Sequence, residues 1–343
     1  MNTLIPESPE RSFEDRLLDE LLVVQATLKA PAPTRTRWGR VFALTGVAVA
    51  VAAIVVLQVL PGSVNPPQPA SAAAELQKLS AAVVSSPALA LAPGQYVYTD
   101  EVSNSGPPAH FGNSTYDVEF DVATQFWIAP DGSGRSSFTF FNLTFPTAQD
   151  HAAWVAQGSP DLATGISRTT TFGPGNYGPL KVDEFTLPTN QAQLTQVIAG
   201  LIPDHANAEP GTTEYAWEEF NYIGQLLHER AAPPDVRAAL LTLAASIPGI
   251  VLVGPTTAPE GMTGVGISTP VPAGGGYSSE LIFDPTSGAL VAYEQWLTDA
   301  SGNRTLEYWN SYLASGVVNS PSTTIPVATP SSTIATTTTT SIN

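Results

Sequence analysis

The sequence predicts an α+β fold in which helices cover one face of a curved antiparallel sheet. Residues 114–145 contain two alternating apolar runs joined by the turn DGSG, a pattern typical of a β-hairpin. Residues 278–313 contain three strand-like runs separated by the turns DPTSG and DASGN, which predict a meander. Helical patterns fill residues 189–246 between these two groups of strands. Strands, then helices, then strands are the order expected of an α+β domain.

The individual elements follow from local signals along the chain. The segment SAAAELQKLSAAVV (71–84) predicts the first helix, and PGQYVYTDEV (93–102) predicts the first strand. In the hairpin, the apolar alternation slips between Phe140 and Phe141, where we expect a β-bulge. Three later helices, each interrupted by Pro or Gly, are predicted in TNQAQLTQVIAGL, TEYAWEEFNYIGQLLHERA and PPDVRAALLTLAASIPG.

Residues 41–60 form an uncharged run that is long enough to cross a membrane. Thr45 and Gln58 are its only polar side chains, and twenty helical residues reach about 30 Å. Three arginines at 35–40 precede the run, whereas the Pro-rich segment 61–70 contains no base. The positive-inside rule therefore places residues 1–40 in the cytoplasm and the larger part of the chain outside. We expect a single-pass protein of the cell membrane, with residues 61–70 as a linker.

Two alternatives compete with a permanent anchor. A cleaved signal peptide is suggested by the triplet Ala70-Ser71-Ala72, which has the A-x-A form. The apolar run and the preceding forty residues are both longer than in ordinary signal peptides, which favours the anchor. A buried helix of a soluble domain would normally show a polar face, and residues 41–60 show none.

The cytoplasmic segment 1–40 contains one short amphipathic helix. Ser12 and Asp15 resemble a capping box, and apolar residues then follow at helical spacing until Pro31. So short a segment cannot bury this stripe by itself. The stripe is a candidate docking face for a cytoplasmic protein, or it rests on the membrane surface or on a second copy of the chain. Its main residues are Leu17, Leu18, Leu21 and Leu28.

Charge and composition narrow the classes of partner. The net charge of the 343-residue chain is −17, and all of it lies after residue 40, because residues 1–40 hold six acidic and six basic residues. Such an acidic domain is repelled by nucleic acid and by anionic lipid surfaces. The chain has no cysteine, so no disulfide stabilises it. Residues 316–343 are rich in Ser, Thr and Pro and predict a disordered tail, which leaves 71–315 as the exported domain.

Several weak motifs follow one another along the exported part of the chain: PGQYVY at 93–98, Leu187-Pro188, the segment Arg237–Ala239, the IPG at 247–249 and the DPTSG at 284–288. In this order they resemble a family of actinobacterial single-pass membrane proteins with an anti-sigma-factor-like layout. The resemblance covers roughly residues 70–315. A Gly-Arg pair that the family has after its IPG strand is missing here, where the sequence is EGMTGVGIS. No role of that arginine is therefore carried over.

The resemblance implies a fold and a type of partner. The exported part of that family is similar in fold to the curved half-barrel sheets of periplasmic lipoprotein carriers and of a regulator that binds an anti-sigma factor. Such sheets hold acyl chains or a protein on their concave side. For this chain the resemblance implies a lipid or protein ligand outside and a cytoplasmic partner such as a sigma factor.

The strands carry many aromatic residues, which are the candidate binding residues. They line an apolar groove for a ligand, or they form ordinary core against the helices. Both alternatives fit the pattern. The candidate groove residues are Phe126, Trp127, Phe138, Phe140, Trp296 and Trp309.

We predict no catalytic, cofactor or metal site. The four histidines lack zinc-binding spacing, and the sequence has no G-x-S-x-G elbow. Asp117, Glu119 and Asp121 share one strand face, but the turn-forming Gly and twelfth-position Glu of an EF-hand are missing. A solvated strand face is therefore expected.

The leading hypothesis is a membrane-anchored, non-enzymatic binding or regulatory protein that transmits an envelope signal to a cytoplasmic partner in an anti-sigma-like manner. The alternative is a tethered lipid or lipoprotein carrier module without signalling. An extracellular hydrolase is a third class, for which the sequence nominates no nucleophile and base.

Overall fold

The structure is a computed structural model that describes most of the chain after residue 70. The chain divides into two units, Met1–Pro69 and Ala70–Asn343, and every described residue lies in the second. The cytoplasmic segment 1–40, the predicted span 41–60 and the linker 61–70 lie outside the described residues. Among the described residues, no helix has the length and apolar character needed to cross a bilayer. The described ranges are 71–85, 91–104, 106, 108–110, 114–162, 167–175, 180, 182–202, 208–228 and 232–327.

The α+β prediction is confirmed, because one large curved antiparallel sheet is combined with a layer of helices. Each of the four helices predicted after residue 70 is present. Ser71 caps the first by accepting the N–H of Ala74 at 3.1 Å, and Asn190 caps another by accepting the N–H of Gln193 at 3.2 Å. The described helices are α1 (Ala72–Val84), α2 (Ala148–Ala156), α3 (Gln191–Leu201), α4 (Thr213–His228) and α5 (Pro234–Ala244).

Ten strands of the described chain form the sheet, in the order β5-β4-β3-β1-β10-β9-β8-β7-β6, with β2 paired to β3. The predicted hairpin is β3–β4 and the predicted meander is β8–β9–β10. The first and last strands, β1 and β10, pair in the middle of the sheet. The strands are β1 (Tyr96–Asn104), β2 (Ala109–His110), β3 (Asp117–Ile128), β4 (Gly134–Thr144), β5 (Ser167–Phe172), β6 (Val251–Thr257), β7 (Thr263–Ser268), β8 (Gly276–Phe283), β9 (Leu290–Thr298) and β10 (Arg304–Val318).

The irregularity in the hairpin lies slightly beyond its predicted place. Glu119 pairs with Thr144 and Asp121 pairs with Phe141, so the extra residue of β4 falls between Phe141 and Thr144. Asn142 lies there with a φ of 50°, a conformation that Asn tolerates better than most residues. The bulge therefore follows Phe141, whereas the alternation predicted it just before that residue.

The main core lies between the helices and one face of the sheet. The helices make their principal contacts with the sheet at β6, β8 and β9. Side chains of the helices and of β7–β9 meet there in one cluster whose central members are completely buried. These include Leu76, Leu79, Leu194, Ile198, Phe220, Ile223, Leu240, Ile267, Leu281 and Phe283. We call this face of the sheet the helix side and the opposite face the outer side.

The described chain stays in contact with the sheet past the predicted end of the exported domain. Strand β10 runs to Val318, and residues 319–325 then cross the outer side. The Gln95 amide donates to the Asn319 side-chain oxygen at 2.8 Å, and the Trp127 indole donates to the Thr323 carbonyl at 2.7 Å. Residues 328–343, the greater part of the predicted tail, lie outside the described residues.

Candidate binding surface

The six candidate groove residues do not lie on one surface. Side chains of successive strand residues point to opposite faces, so Phe126 and Trp127 must separate. Phe126, Phe138 and Phe140 lie on the helix side, because the register places them in the same rows as Thr124 and Val122. The three tryptophans Trp127, Trp296 and Trp309 lie on the outer side.

The three phenylalanines form a continuous surface, which we call the aromatic surface. Phe126 meets Phe138 edge to face with ring centres 6.1 Å apart. Phe140 meets the buried Phe120 at 5.0 Å, again with perpendicular rings. Edge-to-face contact is a preferred geometry for aromatic pairs. The three surface rings are only half-buried, so they are not closed core.

The helix layer covers the other half of the same sheet face. Its contacts with β8 and β9 end near the carboxyl end of α4, where His228 Nε2 contacts the Glu101 carboxylate of β1. The amide of Asn310 donates to the same carboxylate at 3.1 Å, and the His228 ring stacks on Tyr312 at 4.3 Å. The aromatic surface lies on β3 and β4, which follow β1 in the sheet on the side away from β10.

Two partly buried tyrosines, Tyr293 and Tyr308, lie on the helix side of the sheet near this boundary. Burial raises the pKa of Tyr293 to about 12. Burial, together with the nearby charge of Glu101, also raises the pKa of Tyr308. The Tyr293 hydroxyl donates to Asn221 of α4 at 3.3 Å, and the two tyrosine rings are 6.0 Å apart. Both phenols therefore stay neutral, and the Tyr293 hydroxyl links α4 to the sheet.

The outer side carries an acidic pair at Glu280 and Glu294, which face each other across β8 and β9. They are 3% and 4% exposed. Burial raises the pKa of both carboxyls, and the charge of Glu280 raises that of Glu294 further. Arg304 Nη2 lies 3.7 Å from Glu280 Oε2, and its guanidinium stacks 4.4 Å above the Trp296 ring. The Trp296 indole donates to Glu294 at 2.9 Å.

Trp127, one of the candidate groove residues, is covered by the chain itself. Its ring is 2% exposed and packs with Tyr98, Ala314 and Val318 beneath residues 319–325. Arg135 lies 5.0 Å over its ring, a cation–π arrangement. This tryptophan belongs to a closed cluster, whereas Phe126 next to it belongs to the open aromatic surface.

The acidic strand face at Asp117, Glu119 and Asp121 makes ordinary hydrogen bonds. The Asn142 amide donates to Asp121 at 2.9 Å, and the Thr144 hydroxyl lies 3.5 Å from Glu119. In the described part of the chain, no three His, Cys, Asp or Glu side chains come together as a set that could hold a metal ion.

Sequence reasoning missed three clusters that the fold assembles. One is the contact of Glu101 with His228, and another is the acidic pair on the outer side. The third joins Phe145 to α2, where the His151 ring stacks on Trp154 at 5.7 Å. Glu101 and His228 are 127 positions apart, so no local pattern connects them. The candidate docking face at Leu17, Leu18, Leu21 and Leu28 lies outside the described residues.

Comparisons with known proteins return a weak structural likeness. No family model and no curated protein match the chain. One similar solved structure is described as "The complex structure of Pseudomonas aeruginosa MucA/MucB", with 13% identity, coverage of 73% of this chain and 58% of that chain, and a TM-score of 0.27. Another is "Crystal structure of MucB in complex with MucA(peri)", with 11% identity, coverage of 73% and 57%, and a TM-score of 0.27. The chain spans less than two thirds of either structure, and at this TM-score the likeness establishes no shared function.

Proposed function

We propose that the protein is a membrane-anchored, non-enzymatic binding protein whose ligand site is the aromatic surface. The observation that carries the proposal is that Phe126, Phe138 and Phe140 stay only partly buried on a sheet face whose other half is covered by helices. A continuous apolar area on a folded domain usually marks a site of interaction.

The chemistry of the surface suits an apolar ligand. Phenylalanine rings are large and offer few hydrogen bonds, so they gain most by losing contact with water. The polar side chains in the same rows, Thr124 and Ser136, are 4% and 5% exposed and lie beneath the rings. The ligand is an apolar segment of a partner protein or, in the carrier alternative, an acyl chain.

The regulatory part of the proposal rests on the sequence. The uncharged run 41–60 supports an anchor, and the stripe of Leu17, Leu21 and Leu28 supports docking to a cytoplasmic protein. Ligand binding outside would then be transmitted to a cytoplasmic partner, such as a sigma factor in an anti-sigma-like arrangement.

Site-specific photocrosslinking in cells tests the binding surface. The photoreactive residue p-benzoylphenylalanine replaces Phe140 in one variant and Phe141 in its control. These neighbouring phenylalanines point to opposite faces of the sheet. Irradiation is expected to give an adduct of defined mass at position 140 and none at 141. Equal labelling at both positions, or at neither, would contradict the proposal.

The mass of the adduct separates the two ligand classes. A protein partner adds a discrete protein mass, whereas the carrier alternative adds the mass of a lipid. Lipid mass spectrometry on the purified full-length chain gives an independent reading of the second outcome.

A substitution on the cytoplasmic stripe tests the signalling step. Leu21→Asp places a charge on the predicted docking face, and Val23→Asp places the same charge on the opposite face of the predicted helix. Co-purification of a cytoplasmic partner with the full-length chain should be lost in the first variant and kept in the second. Identical recovery with both variants would leave a tethered binding module without signalling.

A further inference from the structure

We propose that residues 319–325 form a strap that controls the shape of the aromatic surface from the opposite face of the sheet. The inference rests on the proposed binding function, because it assigns a regulation to that same surface. It adds a role for a segment whose composition alone suggests a passive tail.

The strap is held by donors that recognise its main chain. The Trp127 indole donates to the Thr323 carbonyl at 2.7 Å, and Arg135 Nη1 donates to the Pro321 carbonyl at 3.1 Å. These two residues face each other across β3 and β4. The strap therefore grips both strands of the hairpin through groups that are themselves stacked on each other.

One apolar side chain anchors the strap to the middle of the sheet. Ile325 packs against the cluster of Tyr98, Trp127, Ala314 and Val318. A Cβ at Gly316 would lie 2.6 Å from Ile325 Cδ1, so β10 carries a glycine where the anchor meets it. The strap is therefore held by apolar packing on the central strands as well as by polar contacts with the hairpin.

The path of the strap joins strands that the sheet itself keeps apart. Strands β10 and β4 are separated by β1 and β3, and the strap runs from the end of β10 to Arg135 of β4. Its contact residues alternate with those of the aromatic surface. Trp127 follows Phe126, and Arg135 precedes Ser136, which faces Phe126 across the hairpin. A change in the curvature of β3–β4 therefore moves both faces together.

This geometry makes strap docking and ligand binding linked equilibria. In the described part of the chain, the hairpin has no principal helix contact like those of β8 and β9. The strap therefore adds a restraint on the outer side to the pairing of the hairpin with β1 and β5. A ligand that prefers the restrained hairpin will strengthen strap docking, and a docked strap will strengthen ligand binding by the same factor. Pulling or masking the strap would release the ligand.

Hydrogen exchange of the full-length chain in lipid nanodiscs tests the restraint without any ligand. Ile325→Ala removes the anchor, and Val327→Ala, at a side chain that is 38% exposed, is the matched control. We expect amides of β3 and β4 to exchange about tenfold faster in the first variant and unchanged in the control. Trp127→Phe, which keeps a ring and removes the donor, should act in the same direction. Unchanged exchange in β8 and β9 verifies that both variants are folded.

The second measurement is the photoadduct at position 140 in the same variants. We expect Ile325→Ala to lower its yield about tenfold and Val327→Ala to leave it unchanged. Faster exchange that is confined to residues 319–325, with a normal adduct, would overturn the strap and leave the binding function intact. Faster exchange of β3 and β4 in a chain that never forms the adduct would remove the binding function and keep the restraint.

Discussion

At the scale of single residues, the acidic pair Glu280 and Glu294 on the outer side is costly to ionise, because both carboxyls are buried. Two carboxyls face each other out of water, and Arg304, a cation that contacts the pair, lies 3.7 Å from Glu280 and is itself partly exposed. Burial raises the pKa of both groups. Ionising the pair therefore opposes folding, and protonating it relieves that cost.

The acidic pair predicts a pH dependence of stability with a definite sign. Both carboxyls bind protons more tightly in the folded chain than in the unfolded chain, where the pKa of Glu is about 4.3. The free energy of unfolding therefore falls as pH rises from that value through the raised folded pKa. Glu294→Gln should reduce this fall and raise the free energy of unfolding at neutral pH by about 1 kcal/mol. Thermal unfolding of the full-length chain from pH 4 to pH 7, followed by tryptophan fluorescence, measures both effects.

The exposed Glu260 provides the control for this experiment. Glu260→Gln removes the same charge from an exposed position and should leave the pH profile as it is. If Glu294→Gln instead destabilises the chain at neutral pH, the hydrogen bond from the Trp296 indole to the ionised Glu294 outweighs the repulsion between Glu294 and Glu280.

Gly288 is a residue at which two constraints coincide. Its φ is 69°, and a Cβ would lie 2.5 Å from the carbonyl oxygen of Leu79 in α1. Gly288→Ala should destabilise the chain by about 2–4 kcal/mol, because it adds backbone strain and overpacks the contact with α1. Gly302 occupies a comparable turn with a φ of 88°, and none of the described residues lies within 4 Å of its Cβ position. Gly302→Ala should cost only the strain, about 1 kcal/mol, and equal costs in the two variants would contradict the packing argument.

At the scale of elements, α4 is fixed to the centre of the sheet through Glu101. This carboxylate contacts His228 at the end of the helix and accepts from Asn310 on β10. Glu101→Ala should cost about 2–3 kcal/mol, because the buried Asn310 amide and the partly buried His228 ring lose the acceptor that they share. Hydrogen exchange should show the loosening in the last turn of α4. Glu119→Ala, in a half-buried strand position, is the control and should change stability by less than about 0.5 kcal/mol.

Local sequence patterns predicted those helices and strands that are specified by residues within the segment itself. The helices at 72–84 and 191–201 and the β3–β4 hairpin carry caps, apolar periodicity or turn residues, and all are present. Helix α2 was missed because it has no buried face and therefore no apolar stripe. Strand β5 was missed because SRTTTF is polar, and its state is set by pairing with β4. Long-range pairing of this kind has no signature within the segment itself.

The candidate site was only partly predictable for the same reason. The sequence correctly placed the aromatic residues on strands. It did not show which residues of neighbouring strands share one face of the sheet. That separation depends on register, including the shift between Leu306 and Tyr308 that decides where Trp309 points. The strap was not predicted, because the Ser/Thr/Pro-rich composition of this segment gives no sign that Ile325 packs against the sheet.

At the scale of the whole domain, the sheet is supported unequally. Helices pack on β6, β8 and β9, whereas β3 and β4 carry the open aromatic surface on the helix side. Local unfolding requires less free energy where few buried apolar contacts hold a strand in place. The part of the sheet that carries the aromatic surface is therefore the part that can change shape without unfolding the core.

This asymmetry predicts the order in which strands open. In the full-length chain without ligand, amides of β8 should exchange slowest, because Leu281, Ile282 and Phe283 are completely buried. Amides of β5, whose residues are mostly exposed at the sheet edge, should exchange at least about tenfold faster, with β4 between the two. Hydrogen exchange with peptide-level mass spectrometry measures this order. Uniform protection across the sheet would mean that the open half is as rigid as the helix-covered half, and the aromatic surface would then be a preformed site without conformational freedom.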